Sequence, residues 1–196
     1  MTFSIRGAAI AVSLALLGTV ATQLFYVGVI SGLEDGTLLR KITWTTEMAL
    51  FSLVAVAALP LASRSTAPLV WAAIAISGLM NVIQVGIGLS EFAPAQESAD
   101  KAVFQSVLQG AFFLYFHAKA LIGLAAVGLG IAAFQRGGLG KVLGGLSILA
   151  GLAAAVLGLL GMANGMALTF AAGAVGTAAT ALFALTVLLV EKREAV

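Results

Sequence analysis

The sequence contains no cysteine and one histidine, and only 9% of its residues are charged. The absence of cysteine excludes disulfides, thiolate metal sites and covalent haem attachment. A single histidine excludes bis-histidine haem, unless two protomers contribute one each. Soluble domains carry about 25% charged residues, because their surface faces water. With so few charges, most of the surface of this protein must face lipid.

The chain also lacks the motifs of several enzyme classes. It has no H-E-x-x-H, no G-x-S-x-G, no acidic metal cluster and no phosphate-binding glycine loop. The formal charge is only +2, and no basic run or stacking platform indicates nucleic-acid binding. We therefore predict no catalytic residues, no metal and no cofactor, and we favour a protein that is not an enzyme.

Apolar residues make up 61% of the chain and form long runs. A transmembrane helix needs about 20 such residues. Breaks at charged and turn residues predict an all-α bundle of six spans in a single domain, 1–196. The predicted spans are approximately 8–32, 43–62, 68–90, 111–134, 139–162 and 165–190. Residues 91–102 are predicted as a loop, followed by a helical extension of the fourth span from Val103.

Lysine and arginine collect on the cytoplasmic side of membrane proteins. If the N-terminus is cytoplasmic, the inner side holds Arg6, Arg64, Arg136, Lys141, Lys192 and Arg193. The outer side then holds Arg40, Lys41 and Lys101. This distribution predicts that both termini lie in the cytoplasm, and we expect the membrane to be a bacterial inner membrane. The first apolar run continues through Ile30, so we expect an uncleaved helix and not a signal peptide.

A glycine repeat stands out in the last two predicted spans. Gly144, Gly151, Gly158 and Gly165 recur every seven residues. Small residues on one stripe let helix backbones approach closely, which supplies packing where lipid removes the hydrophobic drive. We interpret the stripe as helix packing. The tight turn at residues 162–165 predicts that the last two spans form a hairpin.

Ionisable residues inside the predicted spans are the best functional candidates, because burying a charge in a bilayer is costly. There are three, namely Glu47, His117 and Lys119. Four uncharged polar residues are further candidates for ligand binding: Gln23, Tyr26, Asn81 and Gln84. The predicted topology places the polar residues of four helices in one layer, in the outer half of the bilayer.

Several arrangements of these residues are compatible with the sequence. Lys119 and Glu47 pair across two helices, or His117 and Glu47 line an outward-facing cavity. Alternatively, Glu47 is wetted by headgroup water beside Trp44 while the stem of Lys119 snorkels outward, and His117 makes a structural hydrogen bond to another helix. His117 and Lys119 are about 200° apart around a helix, so they cannot both face one pocket.

The second half of the chain, 112–190, combines an aromatic run at 112–117 with glycine-rich breaks at 136–140 and 143–146. It closes with Leu182, Phe183, Ala184 and Leu185. In these features it resembles a large group of bacterial six-span integral membrane proteins of unknown function. The resemblance implies a helical membrane fold and no particular activity.

The expected function is that of a non-enzymatic accessory subunit or a small binding or transport protein. In the binding form, Glu47 and Lys119 hold a polar headgroup or small solute, and His117 donates or relays a proton. Membrane lipid is the expected surrounding, with a second copy or a membrane complex as a possible partner. One alternative is a redox or lipid- or quinone-binding enzyme that uses His117, and another is a purely structural subunit.

Overall fold

The computed structural model describes residues 4–193, and of residues 191–193 only the backbone. The side chains of Lys192 and Arg193, which the orientation prediction counts, therefore lie outside the described residues. Within this range the chain is helical and has no strand, which confirms the predicted all-α class. Its α-helices are α1 (Ile5–Gly28), α2 (Thr37–Arg64), α3 (Pro68–Ser90), α4 (Phe92–Glu97), α5 (Lys101–Gln135), α6 (Gly138–Asn164) and α7 (Thr169–Arg193).

Five stretches of the described chain are long and apolar enough to cross a membrane. They are Ile5–Gly32, Thr37–Arg64, Pro68–Ser90, Lys101–Gln135 and Gly138–Val190. A 3₁₀ turn at Gly165–Leu168 divides the last stretch into α6 and α7. Gly165 ends α6 with a φ of 73°, a conformation that favours glycine. A methyl group added there would meet nothing within 4 Å, so its assignment to the packing stripe is wrong.

The helices extend beyond several predicted spans. α2 begins at Thr37 and not near Thr43, because Arg40 and Lys41 are good helix formers and do not interrupt it. α5 begins at Lys101, where the side chain of Asp100 accepts a hydrogen bond of 2.8 Å from the backbone of Ala102. Part of the predicted loop also forms the short helix α4. Hydropathy thus located the apolar segments, whereas capping and helix propensity determine where the helices end.

Consecutive long helices run antiparallel, as their contacts show. Gly18 lies beside Leu50 and Tyr26 beside Trp44 in the α1–α2 pair. We call one end of the bundle the α1–α2 end; it carries residues 29–36, 91–100 and 165–168. The opposite α2–α3 end carries residues 65–67 and 136–137, with the start of α1 and the end of α7.

The predicted glycine stripe packs against α5 and not mainly against α7. A methyl group added at Gly151 would lie 2.6 Å from the carbonyl oxygen of Gly123, and one added at Gly123 would lie 2.5 Å from that of Gly151. Gly144 and Gly130 face each other in the same way. Gly158 continues the seam against the backbone of Phe116. The two backbones approach so closely that glycine is required on both helices.

We expect Gly151→Val to lower the stability of the protein markedly. The added side chain would enter the Gly123 backbone, and overpacking of this kind costs about 1–3 kcal/mol. Thermal unfolding in detergent should show a Tm lower by roughly 3–10 °C. Gly145→Ala on the same helix is the matched control, because its methyl group would lie 3.6 Å from the Phe134 ring, an ordinary contact. An equal loss in both variants would contradict the role of the seam.

The half of the bundle nearer the α2–α3 end is filled mainly by apolar side chains. Trp71 and Phe183 pack edge to face there, with ring centroids 5.7 Å apart. Val12, Leu61 and Val187 are buried around them. The ionisable residues that the structure buries lie in the other half of the bundle.

Candidate functional site

Lys119 points into the bundle from α5. Its side chain is only 2% exposed. The Nζ atom donates a hydrogen bond of 3.1 Å to Oε1 of Gln23 and lies 5.2 Å from the centroid of the Tyr115 ring. The aliphatic stem lies against Gly176 of α7, where an added methyl group would collide with its Cδ atom. The hypothesis that Lys119 snorkels outward is therefore wrong.

Gln23 connects three helices through one oxygen atom. Its Oε1 accepts the bond from Lys119 of α5 and a second bond of 2.6 Å from Oγ1 of Thr177 on α7. A side-chain amide oxygen has two lone pairs, so both of its acceptor positions are used. The amide thereby fixes the position of the lysine between α1 and α7.

Glu47 of α2 is 7% exposed, so it is buried and not wetted by headgroup water as one alternative proposed. Thr22 donates a hydrogen bond of 2.9 Å to its Oε1 atom. The carboxyl group of Glu47 and the amino group of Lys119 are close enough to attract each other electrostatically. No direct ion pair joins them in the described part of the chain. Adjacent residues of α1 connect them instead, since Thr22 binds Glu47 and Gln23 binds Lys119.

These contacts define a polar network shared by four helices. Its members are Thr22, Gln23, Glu47, Tyr115, Lys119 and Thr177. Of the predicted site residues it brings together Glu47, Lys119 and Gln23. The sequence did not identify Thr22, Tyr115 and Thr177. Tyr115 lies one turn before Lys119, so the helical repeat offered a signal for it, whereas threonine is too common in membrane helices to be one.

The helix α3 approaches the network beside Lys119. Oγ of Ser77 donates a hydrogen bond of 3.0 Å to the carbonyl oxygen of Ala118, the residue before Lys119. Asn81, one turn further along α3, donates from Nδ2 to the carbonyl oxygen of Ser77 at 2.9 Å. Gln84 is half-buried one turn beyond Asn81 and makes no hydrogen bond to the network within the described residues.

Tyr26 belongs to a different group. Its ring stacks on Trp44 with centroids 6.0 Å apart, and Phe92 of α4 links Trp44 to Phe104 of α5. We call these four residues the aromatic cluster. All four are half-buried. Tyr26 and Trp44 lie one turn from Gln23 and Glu47, so the cluster separates the polar network from the α1–α2 end.

His117 is turned away from the network. Its half-buried ring contacts Phe113 of the same helix edge to face, with centroids 6.5 Å apart. Phe113 is 51% exposed, so this side of α5 faces the surroundings of the bundle. Among the described residues His117 makes no hydrogen bond to another helix, and its outward position is not that of a residue sharing a cavity with Glu47. The predicted 200° separation from Lys119 explains the outcome, because Lys119 occupies the inward face.

The polar network offers a buried amino group, a buried carboxyl group, a side-chain amide and three hydroxyl groups. Within residues 4–190 no group of three or more histidine, aspartate or glutamate side chains is placed to hold a metal ion. Opposite charges held apart by one helix can contact a polar ligand at two points.

Long apolar helices around a buried ionisable pair define a multi-pass helical membrane protein. Neither models of known families, nor curated proteins, nor solved structures match this chain. Its function must therefore be inferred from the geometry of its own residues.

Proposed function

We propose that this is an integral membrane protein that binds or transports a small polar solute or a lipid headgroup and catalyses no reaction. The observation that carries the proposal is the burial of Lys119 and Glu47, on different helices, connected through α1. Ionisable groups inside a membrane bundle are costly and are typical of substrate and ion pathways. Opposite charges at this depth would hold oppositely charged groups of one ligand.

We further propose that the chain crosses the membrane six times, with α6 and α7 as separate crossings. These helices have 27 and 25 residues, and each is long enough to span about 30 Å of hydrocarbon. Arg64, Arg136 and Lys141 lie near the α2–α3 end, which supports a cytoplasmic position for that end, in a bacterial inner membrane. The polar network would then lie in the outer half of the bilayer.

Entry of the ligand is proposed from the α1–α2 end. The barrier on that side is the half-buried aromatic cluster, whereas the apolar core on the other side includes Trp71 and Phe183, which are 6% and 0% exposed. A ligand would pass the cluster and replace the internal partners of the network, Thr22 on Glu47 and Gln23 on Lys119. His117 has no role in this proposal, because it faces Phe113.

A structural subunit is the second candidate function. It is supported by the bonds that Gln23 and Thr177 make within the chain, since such bonds also serve as interhelical connections in membrane bundles. Under this candidate, substitutions in the network would change stability and assembly but no ligand would compete for it. The two candidates therefore differ in ligand response.

A ligand panel tests the proposed function. Thermal unfolding of the detergent-purified protein would be followed with amino acids, polyamines, phosphate esters and short-chain phospholipids. A ligand at 100 times its Kd stabilises by about 2.7 kcal/mol, which raises Tm by roughly 5–10 °C in a chain of this size. We expect Lys119→Met and Glu47→Gln each to abolish that shift.

Ser147→Ala is the control for this panel. It removes the buried 3.0 Å hydrogen bond between Ser147 and Thr186, on α6 and α7, without touching the network. The ligand-induced shift should survive it. A shift that persists in both network variants would place the binding site elsewhere. A panel without any shift, together with network variants that have a lower Tm, would favour the structural subunit.

A further inference from the structure

Asn81 presents a buried oxygen atom that has no partner in the described structure. The residue is 1% exposed, and its Nδ2 atom is bound to Ser77 of its own helix. The Oδ1 atom accepts no hydrogen bond. Buried polar atoms of side chains nearly always have a partner, in the protein or in ordered water. An acceptor at this depth therefore indicates a bound group that supplies a hydrogen.

The helix packing places Asn81 level with the polar network. Gly78 lies against α2, where an added methyl group would be 3.0 Å from the carbonyl oxygen of Phe51. Because α2 and α3 run antiparallel, the next turn of α3 carries Asn81 towards the turn of Glu47. The helices α3 and α5 also run antiparallel, and Ser77 of α3 donates a hydrogen bond to the carbonyl oxygen of Ala118 on α5. One turn further, Asn81 is level with Tyr115.

We infer that a small hydrogen-bond donor binds to Oδ1 of Asn81 and makes α3 the remaining wall of the site. The donor is a water molecule or a hydroxyl or ammonium group of the bound solute; the second source rests on the proposed function. A bare carboxylate or phosphate is excluded at this position, because oxygen acceptors repel each other. Asn81 and Glu47 together thus select the donor end of a polar ligand.

The sequence allows a direct test, because Asn81 and Asn164 are its only asparagines. Asn164 lies exposed at the end of α6 and can be replaced by alanine. In the Asn164→Ala protein, carbon-13 labelling of asparagine leaves one labelled side-chain carbonyl group. Its infrared stretching frequency falls when the oxygen accepts a hydrogen bond. We expect the stretching frequency of a hydrogen-bonded amide. Ser77→Ala is the control: it retains the backbone carbonyl group that Asn81 binds and should give the same frequency.

Two results would support the inference and identify the source of the donor. Magnetisation transfer from water to the labelled side chain would identify a water molecule. A bonded frequency without such transfer would identify a group of a solute or lipid. The frequency of an unbonded amide, both in the purified protein and after addition of each ligand of the panel, would overturn the inference. The panel itself is scored by Tm, so a ligand that raises Tm without changing this frequency would leave the proposed function standing.

Stability supplies an independent measurement. If Oδ1 is occupied, Asn81→Leu removes a satisfied group and lowers Tm. If Oδ1 has no partner, leucine removes an unsatisfied buried acceptor and raises Tm by roughly 2–10 °C. A higher Tm would therefore overturn the inference. The labelled Asn164→Ala protein keeps the test valid if Asn81→Leu does not fold.

Discussion

Lys119→Met is expected to lower the free energy of unfolding by about 3–5 kcal/mol, the cost of removing one partner from a buried pair of charges. Methionine fills most of the space against Gly176, so the loss is electrostatic and not a cavity. It leaves Glu47 buried without a compensating charge and removes one donor from Gln23. Denaturant unfolding in mixed micelles measures the change. Lys141→Met is the matched control.

The control lysine is exposed and lies over the ring of Phe134 at 5.5 Å. Surface substitutions usually change stability by no more than about 0.5 kcal/mol. In the double variant Lys119→Met/Glu47→Gln, the loss in the free energy of unfolding should be smaller than the sum of the two single losses. The difference should be about 1–3 kcal/mol, as for residues in one network. Strictly additive losses would show that Glu47 and Lys119 do not interact across α1.

A cysteine placed at Thr22 is expected to react with a membrane-impermeant maleimide only from the α1–α2 end. The natural chain has no cysteine, so no background reaction occurs. Trp44→Ala removes the ring contacts to Tyr26 and Phe92, each worth about 0.5–1.5 kcal/mol. Opening of the aromatic cluster should therefore accelerate labelling by about tenfold. The measurement is the labelling rate in sealed vesicles of known orientation.

Thr186→Cys is the control on the other side of the network. Thr186 is 0% exposed in the half of the bundle that contains the apolar core. It should remain unlabelled from both sides, with or without Trp44→Ala. Labelling of Thr22→Cys from the α2–α3 end, or a rate insensitive to Trp44→Ala, would contradict entry past the aromatic cluster.

Glu47 and Lys119 could be selected from the sequence because an ionisable residue inside a long apolar run is recognisable, and costly, before its neighbours are known. The angle between His117 and Lys119 could also be predicted, since it follows from the helical repeat alone. The sequence could not show which of the two side chains faces the interior of the bundle. That choice depends on two glycines of α7: Gly176 leaves space for the stem of Lys119, and Gly173 leaves space for the hydroxyl group of Tyr115.

Contacts between distant segments were equally beyond prediction. Gln23 accepts hydrogen bonds from residues 96 and 154 positions away in the chain. No periodicity within one helix indicates such a partner. Thr22 and Thr177 are ordinary residues of membrane helices until the fold brings them to Glu47 and Gln23.

The amino-acid sequence by itself determined that this chain forms apolar helices, that ionisable residues lie within them, and that glycine recurs every seven residues. These properties depend only on composition and on the repeat of a single helix. The tertiary structure decided that the glycine stripe faces α5, that Lys119 turns inward to Gln23 and that Tyr26 joins Trp44. Those outcomes depend on which helices become neighbours, and that is decided by the packing of all of them together.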